Sequence, residues 1–157
     1  MQEDPATDPA LDVLEQVALL GPLRREMGRC AAPELNAAAA SLVWHLTGSG
    51  PQRTSDLAAA LRVDVSVVSR QAGELVADGH LERLPDPADR RACLLRVTSA
   101  GRAALEAALV RVTDRFAPRL QGWAPDDLAR LADDLRRLHD DLLGTDPAPR
   151  GPLAPAA

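Results

Sequence analysis

The ionisable and nucleophilic side chains of this chain lack the spacings that known catalytic and metal sites require. All 18 basic residues are arginine, which excludes the lysine chemistry of P-loop, kinase and Schiff-base sites. No GxSxG or HExxH motif occurs, and His45, His80 and His139 are not spaced as metal ligands on a helix. We therefore expect no enzymatic activity, no cofactor and no bound metal.

A second group of polar side chains is suited to binding. In the segment that begins at Ser66, the apolar residues Val68, Ala72, Leu75 and Val76 recur at helical spacing and should face a core. The opposite face is then predicted to carry Ser66, Val67, Ser69, Arg70, Gln71 and Glu74. Short hydroxyls bind phosphates, and arginine and glutamine read base edges, so this face has the chemistry of a DNA-recognition helix.

Charge supports DNA binding only weakly, because the chain carries a net charge of −5. Residues 50–102 hold eight arginines and seven acids, a net charge of +1. Residues 1–49 hold three arginines and seven acids, and residues 103–157 hold seven and nine, giving −4 and −2. The acidic charge is therefore concentrated outside the segment that would face DNA, and binding should depend strongly on salt.

The elements that must position these residues are mostly helices. A helical stretch is predicted from Ala10 to about Cys30 with a kink at Gly21-Pro22, followed by a helix from Pro33 to about Thr47. Thr54 or Ser55 should cap a short helix that ends near Leu61. Further along the chain, Gly79 suits the left-handed end of the helix that begins at Ser66, and Thr98 suits the start of one that ends near Leu120.

Two short strands are predicted at 81–84 and 93–97, on either side of a charged, turn-rich loop. The last helix should begin at Pro125. Its leucines alternate spacings of three and four, which favours a coiled-coil-like contact: Leu128, Leu131, Leu135, Leu138 and Leu142. We expect this stripe, with Leu11 and Leu14 of the first helix, to form a homodimer.

The stretch from Gly79 to Gly101, GHLERLPDPADRRACLLRVTSAG, resembles the wing of the MarR family of transcriptional regulators. The shared pattern is Gly-hydrophobic-x-Arg, then Asp-Pro-x-Asp-Arg-Arg, a hydrophobic strand, Leu-Thr, two residues and Gly. Val97 stands where the family has leucine. The segment from Ser55 to Leu75, SDLAAALRVDVSVVSRQAGEL, is similar to the family's helix-turn-helix, and a weaker likeness extends from about Ala10 to Leu143.

The resemblance implies a mainly α-helical, winged helix-turn-helix homodimer with a small β-hairpin wing. The recognition helix would enter the major groove of a pseudo-palindromic operator, and the wing would reach the minor groove. Arg91 would insert into that groove, and Asp89 would help to fix the wing. The expected DNA-binding residues are Thr54, Ser66, Val67, Ser69, Arg70, Gln71, Asp89, Arg90 and Arg91.

The same resemblance sets the expected domain organisation and regulation. Residues 10–48 and 99–143 would be dimerisation and effector helices, residues 50–98 the DNA-binding lobe, and residues 1–9 and 144–157 disordered tails. A small-molecule effector, expected to be aromatic or phenolic, would release a repressor from DNA. Trp44 and His45 lie near where such effectors bind, although Trp44 serves equally well as a core residue.

Two alternatives remain open. A winged helix can serve as a protein-interaction module, with its acidic surface facing a protein partner. The chain could also be an oxidant-sensing regulator that uses Cys30 or Cys93, but no aromatic residues surround Cys30, so an unreactive thiol is favoured. The absence of a signal peptide and of an apolar run near 18 residues predicts a cytoplasmic protein with reduced thiols.

Overall fold

The computed structural model describes residues 8–31, 35–89 and 91–144. These residues form a mainly helical fold with a small antiparallel sheet, as the sequence predicts. In chain order the elements are α1 Pro9–Leu19, α2 Gly21–Ala31, α3 Ala37–Ser49, β1 Gln52–Arg53, α4 Thr54–Leu61, α5 Val65–Ala77, β2 Leu81–Pro85, β3 Cys93–Val97, α6 Ser99–Phe116, the 3₁₀ helix η1 Ala117–Leu120 and α7 Pro125–Leu143. Of the tails predicted at 1–9 and 144–157, residues 1–7 and 145–157 lie outside the described residues. Pro9, which was predicted to lie in a tail, instead begins α1 with Asp8 as its cap, and Gly144 ends α7.

The N-terminal helical stretch is divided into α1 and α2 at Leu20, directly before Gly21-Pro22, where a kink is predicted. The helix predicted from Pro33 is shorter than expected, because α3 begins at Ala37. Asn36 caps it, and its side-chain oxygen accepts from the backbone N–H groups of Ala38 and Ala39 at 3.1 and 2.9 Å. Pro33 itself lies outside the described residues.

The helix-turn-helix consists of α4, a tight turn and α5. Arg62 ends α4 in the left-handed region, with φ 53°. Asp64 then caps α5, and its carboxylate accepts from the Ser66 N–H at 2.7 Å. This hydrogen bond, together with the Ser66 hydroxyl, holds the pKa of the Asp64 carboxyl below its ordinary value, the hydroxyl having the larger effect.

The sheet has the order β1-β3-β2, and both pairs are antiparallel. Strands β2 and β3 form the wing hairpin, in which Leu81 pairs with Val97 and Pro85 with Cys93. The two-residue strand β1 was not predicted from the sequence. It pairs with the outer side of β3 and so attaches the start of α4 to the wing.

One hydrophobic core joins the helix-turn-helix, the hairpin and α6. Its fully buried large side chains are contributed by α4, α5, both wing strands, α6, α3 and the residues just before α3: Leu35, Val43, Leu57, Val68, Leu81, Leu95 and Leu105. Aliphatic side chains fill this core, as expected for a chain whose aromatic content is only 2%. Helix α5 is therefore held on its inner face by Val68, Ala72 and Leu75.

The end of α5 meets the start of α6 at the carbonyl group of His80. Gly79 leaves the helix with φ 77°, and the His80 oxygen accepts from both the backbone N–H and the hydroxyl of Thr98, each at 3.1 Å. Thr98 also caps α6 by accepting from the Gly101 N–H at 3.0 Å. A Cβ atom on Gly101 would lie 2.2 Å from the His80 oxygen, so this crossing requires glycine.

Two helices bury nothing within the described chain. Neither α1 nor α7 contains a buried residue, although both carry several exposed leucines. None of the helices in the described residues is long and apolar enough to cross a membrane.

Gly101→Ala should destabilise the protein by about 1–3 kcal/mol, because the added methyl group would overlap backbone atoms that cannot move independently. The thermal midpoint should fall by roughly 2–4 °C for each kcal/mol. Gly73→Ala is the matched control, since Gly73 is also helical but has no neighbouring atom within 4 Å of the position its Cβ would take; it should be neutral or raise the midpoint. Equal midpoints for the two variants at the same protein concentration would contradict the proposed close packing.

Candidate nucleic-acid interface

The outer face of α5 is exposed and largely polar. Ser66, Ser69, Arg70 and Glu74 are all exposed, as the helical spacing predicts. Val67 is also exposed, by 41%, and an exposed apolar group on such a face suits contact with the methyl group of thymine. The face therefore offers two hydroxyls, a guanidinium and an apolar contact along one side of the helix.

Gln71 does not belong to this face, and the prediction that it reads bases is wrong. Its side chain is buried, with 9% exposure, and its Oε1 atom has no hydrogen-bond partner in the structure. Gln71 lies three residues after Val68 and four before Leu75, so helical geometry places it on the core stripe. The polarity of its side chain favours an exposed position, but its helical position decides its burial.

Thr54 is half-buried at the first position of α4. It does not cap that helix, and neither does Ser55, contrary to prediction. The cap residue is Arg53, whose side chain makes no capping hydrogen bond and is directed instead to the wing. The start of α4 thus leaves its own N–H groups available to a phosphate, which helix N-termini favour.

The wing loop, residues 86–92, is closed by backbone hydrogen bonds at both ends. The Asp86 N–H donates to the Ala92 carbonyl at 3.1 Å, and the Ala92 N–H donates to the Asp89 carbonyl at 2.9 Å. The Asp89 carboxylate accepts from the Arg91 N–H at 2.9 Å. This geometry leaves the Arg91 side chain exposed at the end of the wing. Arg90 lies outside the described residues.

An ion pair that was not predicted from the sequence connects the wing to the helix-turn-helix. The Arg53 Nε and Nη2 atoms lie 2.6 and 2.5 Å from Oδ2 of Asp86. The other carboxylate oxygen of Asp86 accepts from the Ala88 N–H at 2.8 Å. Asp86 is 6% exposed, and nothing in the sequence links two positions 33 residues apart. The Asp-Pro pair at the start of the wing loop was the one sequence feature that marked Asp86 as a structural residue.

These contacts shift the pKa values of both members of the pair. The Ala88 N–H lowers the pKa of the Asp86 carboxyl, and the hydrogen bond from Arg53 lowers it further. The pKa of Arg53 is raised by its hydrogen bond to Asp86. Asp86 is consequently ionised throughout the neutral range, and its charge is lost only as the pH falls below the ordinary carboxyl pKa.

The local ion pairs leave arginine charge available at the surface. Glu82 pairs with Arg96 at 2.8 Å, and Asp86 pairs with Arg53. Within the described ranges, neither Arg70 nor Arg91 forms an ion pair. Two uncompensated guanidinium groups therefore lie on the recognition helix and on the wing, where a phosphate or base edge can bind them.

The predicted effector residues are placed less distinctively. Trp44 is half-buried and packs against the core, and the His45 Nε2 atom lies 3.1 Å from Oε1 of Gln52. A cavity of about 100 Å³ lies between α3, β3 and the start of α6, and it is lined by Leu46, Thr47, Gly50, Pro51, Arg96, Val97 and Arg102. Neither Trp44 nor His45 borders that cavity, which has room for only about three water molecules.

The predicted dimerisation leucines lie at the surface of the single chain. Leu131, Leu135 and Leu142 on α7 are 41, 43 and 54% exposed, and Leu128 and Leu138 are half-buried. Leu11 and Leu14 on α1 are 50 and 49% exposed. Both helices therefore present apolar faces that the rest of the described chain leaves uncovered.

The two cysteines occupy different environments. Cys30 is half-buried in α2, whereas Cys93 is exposed at the start of β3, the position predicted for it. Among residues 8–31, 35–89 and 91–144, no three His, Cys, Asp or Glu side chains are grouped as metal ligands.

Gln71→Met should raise the free energy of unfolding by about 1 kcal/mol, because it replaces a buried, unpaired amide with an apolar side chain of similar size. Chemical denaturation measures this change. Arg70→Met alters the adjacent exposed position and should stay within about 0.5 kcal/mol of the wild type. If Gln71→Met destabilises the protein, the amide has a partner that stabilises it.

The comparisons with known proteins agree with the fold and the motifs. A model of the MarR family matches residues 34–92, which include the helix-turn-helix and most of the wing. An uncharacterised HTH-type transcriptional regulator of Bacillus subtilis, YxaD, is 33% identical over 86 residues, which are 55% of this chain. The matched segment spans 60% of the length of that curated relative.

Solved structures share the architecture at lower identity. The transcriptional regulator BldR from Sulfolobus solfataricus superposes with a TM-score of 0.71 and 21% identity, over 90% of this chain and 99% of BldR. BpsR of Bordetella bronchiseptica, whose DNA binding is regulated by 6-hydroxynicotinic acid, superposes with a TM-score of 0.64 and 24% identity, over 82% of this chain and 99% of BpsR. The chain is therefore similar to the MarR family of transcriptional regulators over residues 34–92, and its fold is the one that the solved MarR-family structures share.

Proposed function

We propose that this chain is a DNA-binding transcriptional regulator, not an enzyme, and that it binds a pseudo-palindromic operator as a homodimer in the cytoplasm. The observation that carries the proposal is the pair of exposed, unpaired arginines, Arg70 on α5 and Arg91 on the wing. They belong to the segment that matches the MarR family. Repression is the proposed mode, because a dimer bound to its operator excludes other proteins from the same DNA.

The two arginines are assigned different roles in this proposal. Arg70 lies among Ser66, Val67 and Ser69 on the outer face of α5, which would enter the major groove, where each base pair presents a distinct pattern. Arg91 lies on the wing, which would reach the minor groove, where the pattern mainly separates A·T from G·C. Thr54 and the start of α4 would contact phosphates, and Asp89 would hold the wing in shape.

The homodimer is proposed from the uncovered faces of α1 and α7. Monomeric proteins seldom expose large contiguous apolar surfaces, and these helices expose leucines without burying any residue of their own. We propose that Leu11 and Leu14, together with the leucine stripe of α7, pack against the same helices of a second copy. Such a dimer would place two recognition helices on two half-sites.

Regulation by a small aromatic or phenolic effector is part of the same proposal. A related structure is that of BpsR, whose DNA binding is regulated by 6-hydroxynicotinic acid. Trp44 and His45 remain the proposed effector contacts, although Trp44 also serves the core. The protein-interaction and thiol-sensing alternatives are separated from this proposal by DNA binding itself and by its response to mild oxidation.

Arg70→Ala should weaken binding to the best operator by about 1–3 kcal/mol and reduce the preference for it over mismatched sites. Arg91→Ala should weaken all sites more evenly and reduce the salt dependence by roughly one contact per half-site. The measurement is a salt titration on an operator selected in vitro and on two mismatched versions. Wild-type affinity in Arg91→Ala at every salt concentration would show that the wing does not contact DNA.

Leu135→Asp should dissociate the dimer or cause aggregation, because it would bury a charge in the proposed interface. Sedimentation at micromolar concentration measures the change. Ala129→Asp introduces the same charge at an exposed position of α7 away from the leucine stripe and should leave the dimer intact. A monomeric wild type would refute the dimer while leaving the DNA-binding face unaffected.

A further inference from the structure

The wing loop is tied to the helix-turn-helix through Arg53. Among the described residues, the Arg53–Asp86 contact is the one side-chain hydrogen bond that joins residues 86–92 to residues 54–77 or to the strand that precedes them. The remaining hydrogen bonds of Asp86 and Asp89 lie within the loop itself. The loop is therefore closed by its own hydrogen bonds, whereas its orientation relative to the helix-turn-helix depends on one side chain, that of Arg53.

Arg53 contacts both the helix-turn-helix and the wing, so it can fix the orientation of one relative to the other. Its backbone pairs with Leu94 of β3, and the residue also forms the cap position of α4. Its guanidinium uses two nitrogens on one oxygen of a buried carboxylate, a charge-assisted contact that restricts direction as well as distance. The second oxygen of that carboxylate fixes the turn at Ala88. A change at Arg53 would thus reach the Arg91 end of the wing through Asp86.

We propose that Arg53 is a positioning residue for DNA binding, which acts through Asp86 to set the angle of the wing relative to the recognition helix. This inference rests on the proposed function, since a wing angle matters only if helix and wing bind one DNA duplex together. Arg53 is not assigned a contact with DNA. A substitution of Arg53 should therefore change the contribution of Arg91 to DNA affinity and leave the contribution of Arg70 unchanged.

The first arm of the test uses DNA-free protein. Asp86→Asn leaves an amide between the Arg53 guanidinium and the Ala88 N–H, so one of the two contacts must face an N–H donor and be lost. Amide hydrogen exchange in residues 86–92 should then accelerate at least about tenfold, while exchange in α3 and α6 stays unchanged. Arg53→Gln should give the same pattern. Unchanged exchange in the wing loop in both variants would overturn the proposal.

The matched control breaks a different ion pair of the same sheet. Glu82 and Arg96 lie 2.8 Å apart across β2 and β3, but their side chains are 42 and 48% exposed. Exposed ion pairs contribute little, and this one does not reach the helix-turn-helix. Glu82→Gln should leave both exchange and DNA affinity within about twofold of the wild type. An effect as large as that of Asp86→Asn would overturn the proposal, because any charge loss in the sheet would then disturb the wing.

The second arm is a pair of double-mutant cycles on the selected operator. Arg91→Ala should weaken wild-type binding by about tenfold but should cost less than about twofold in the Arg53→Gln background, because the wing is no longer held against the groove. Arg70→Ala should cost the same factor in both backgrounds. Equal costs of Arg91→Ala in the two backgrounds would overturn the proposal, as would a reduced cost of Arg70→Ala, which would indicate general damage to the lobe.

The two arms separate this inference from the proposed function. A wild-type chain that binds no DNA at any salt concentration would refute the proposed function and with it the role of Arg53 in binding. The exchange measurement would still decide whether Arg53 holds the wing. Normal DNA binding combined with additive Arg53 and Arg91 effects would refute only the positioning role.

Discussion

The junction at the His80 carbonyl is the constraint on which the remaining geometry depends. There α5 ends, the first wing strand begins and α6 starts. The hydrogen bonds of Thr98 and the close approach of Gly101 to the His80 carbonyl hold the three elements together. Because Thr98 binds both the Gly79 and His80 carbonyls, α5 cannot rotate without displacing α6. The proposed DNA-binding unit consists of one helix, α5, and one hairpin, the wing. Its two parts need a fixed relative orientation, since they would contact the same duplex.

In residues 50–102, the ion pairs that acids form matter more for the surface charge than the net charge does. The net charge of residues 50–102 is only +1, but the acids that flank the wing are bound to partners or to backbone N–H groups. Asp86 neutralises Arg53, Glu82 neutralises Arg96, and Asp64 and Asp89 serve as local caps. An acidic chain can in this way keep exposed guanidinium groups, such as those of Arg70 and Arg91, free of ion pairs.

The free energy that would hold two copies together comes from surface that folding of one chain leaves exposed. The core of the described chain is made by α3 to α6 and the hairpin, whereas α1 and α7 bury none of their residues. Covering those leucines would stabilise the dimer by roughly 25 cal/mol for each Å² of apolar area removed from water. In the proposed dimer, assembly and DNA recognition would use different helices, so that the interface and the recognition face could vary independently.

The sequence by itself determined the fold class, the wing and most of the recognition face. Helical spacing placed Val68, Ala72 and Leu75 inside and Arg70 outside, and the turn chemistry of Gly79 and Thr98 fixed the ends of α5 and α6. These features follow from local periodicity and capping, which neighbouring residues decide. The dimer leucines were likewise recognised as one stripe, although the surface that covers them is a proposal.

Only the tertiary structure decided the contacts between residues distant in the sequence. Gln71 is polar yet buried, because its angular position on the helix outweighs its side-chain chemistry. The strand β1 exists because β3 has a free edge beside it, and two residues carry no pattern that predicts pairing. The Arg53–Asp86 pair depends on that same strand, since β1 brings Arg53 to the base of the wing. Local sequence specifies each helix and strand. Only the packing of these elements brings Arg53, at the start of α4, to Asp86 in the wing loop.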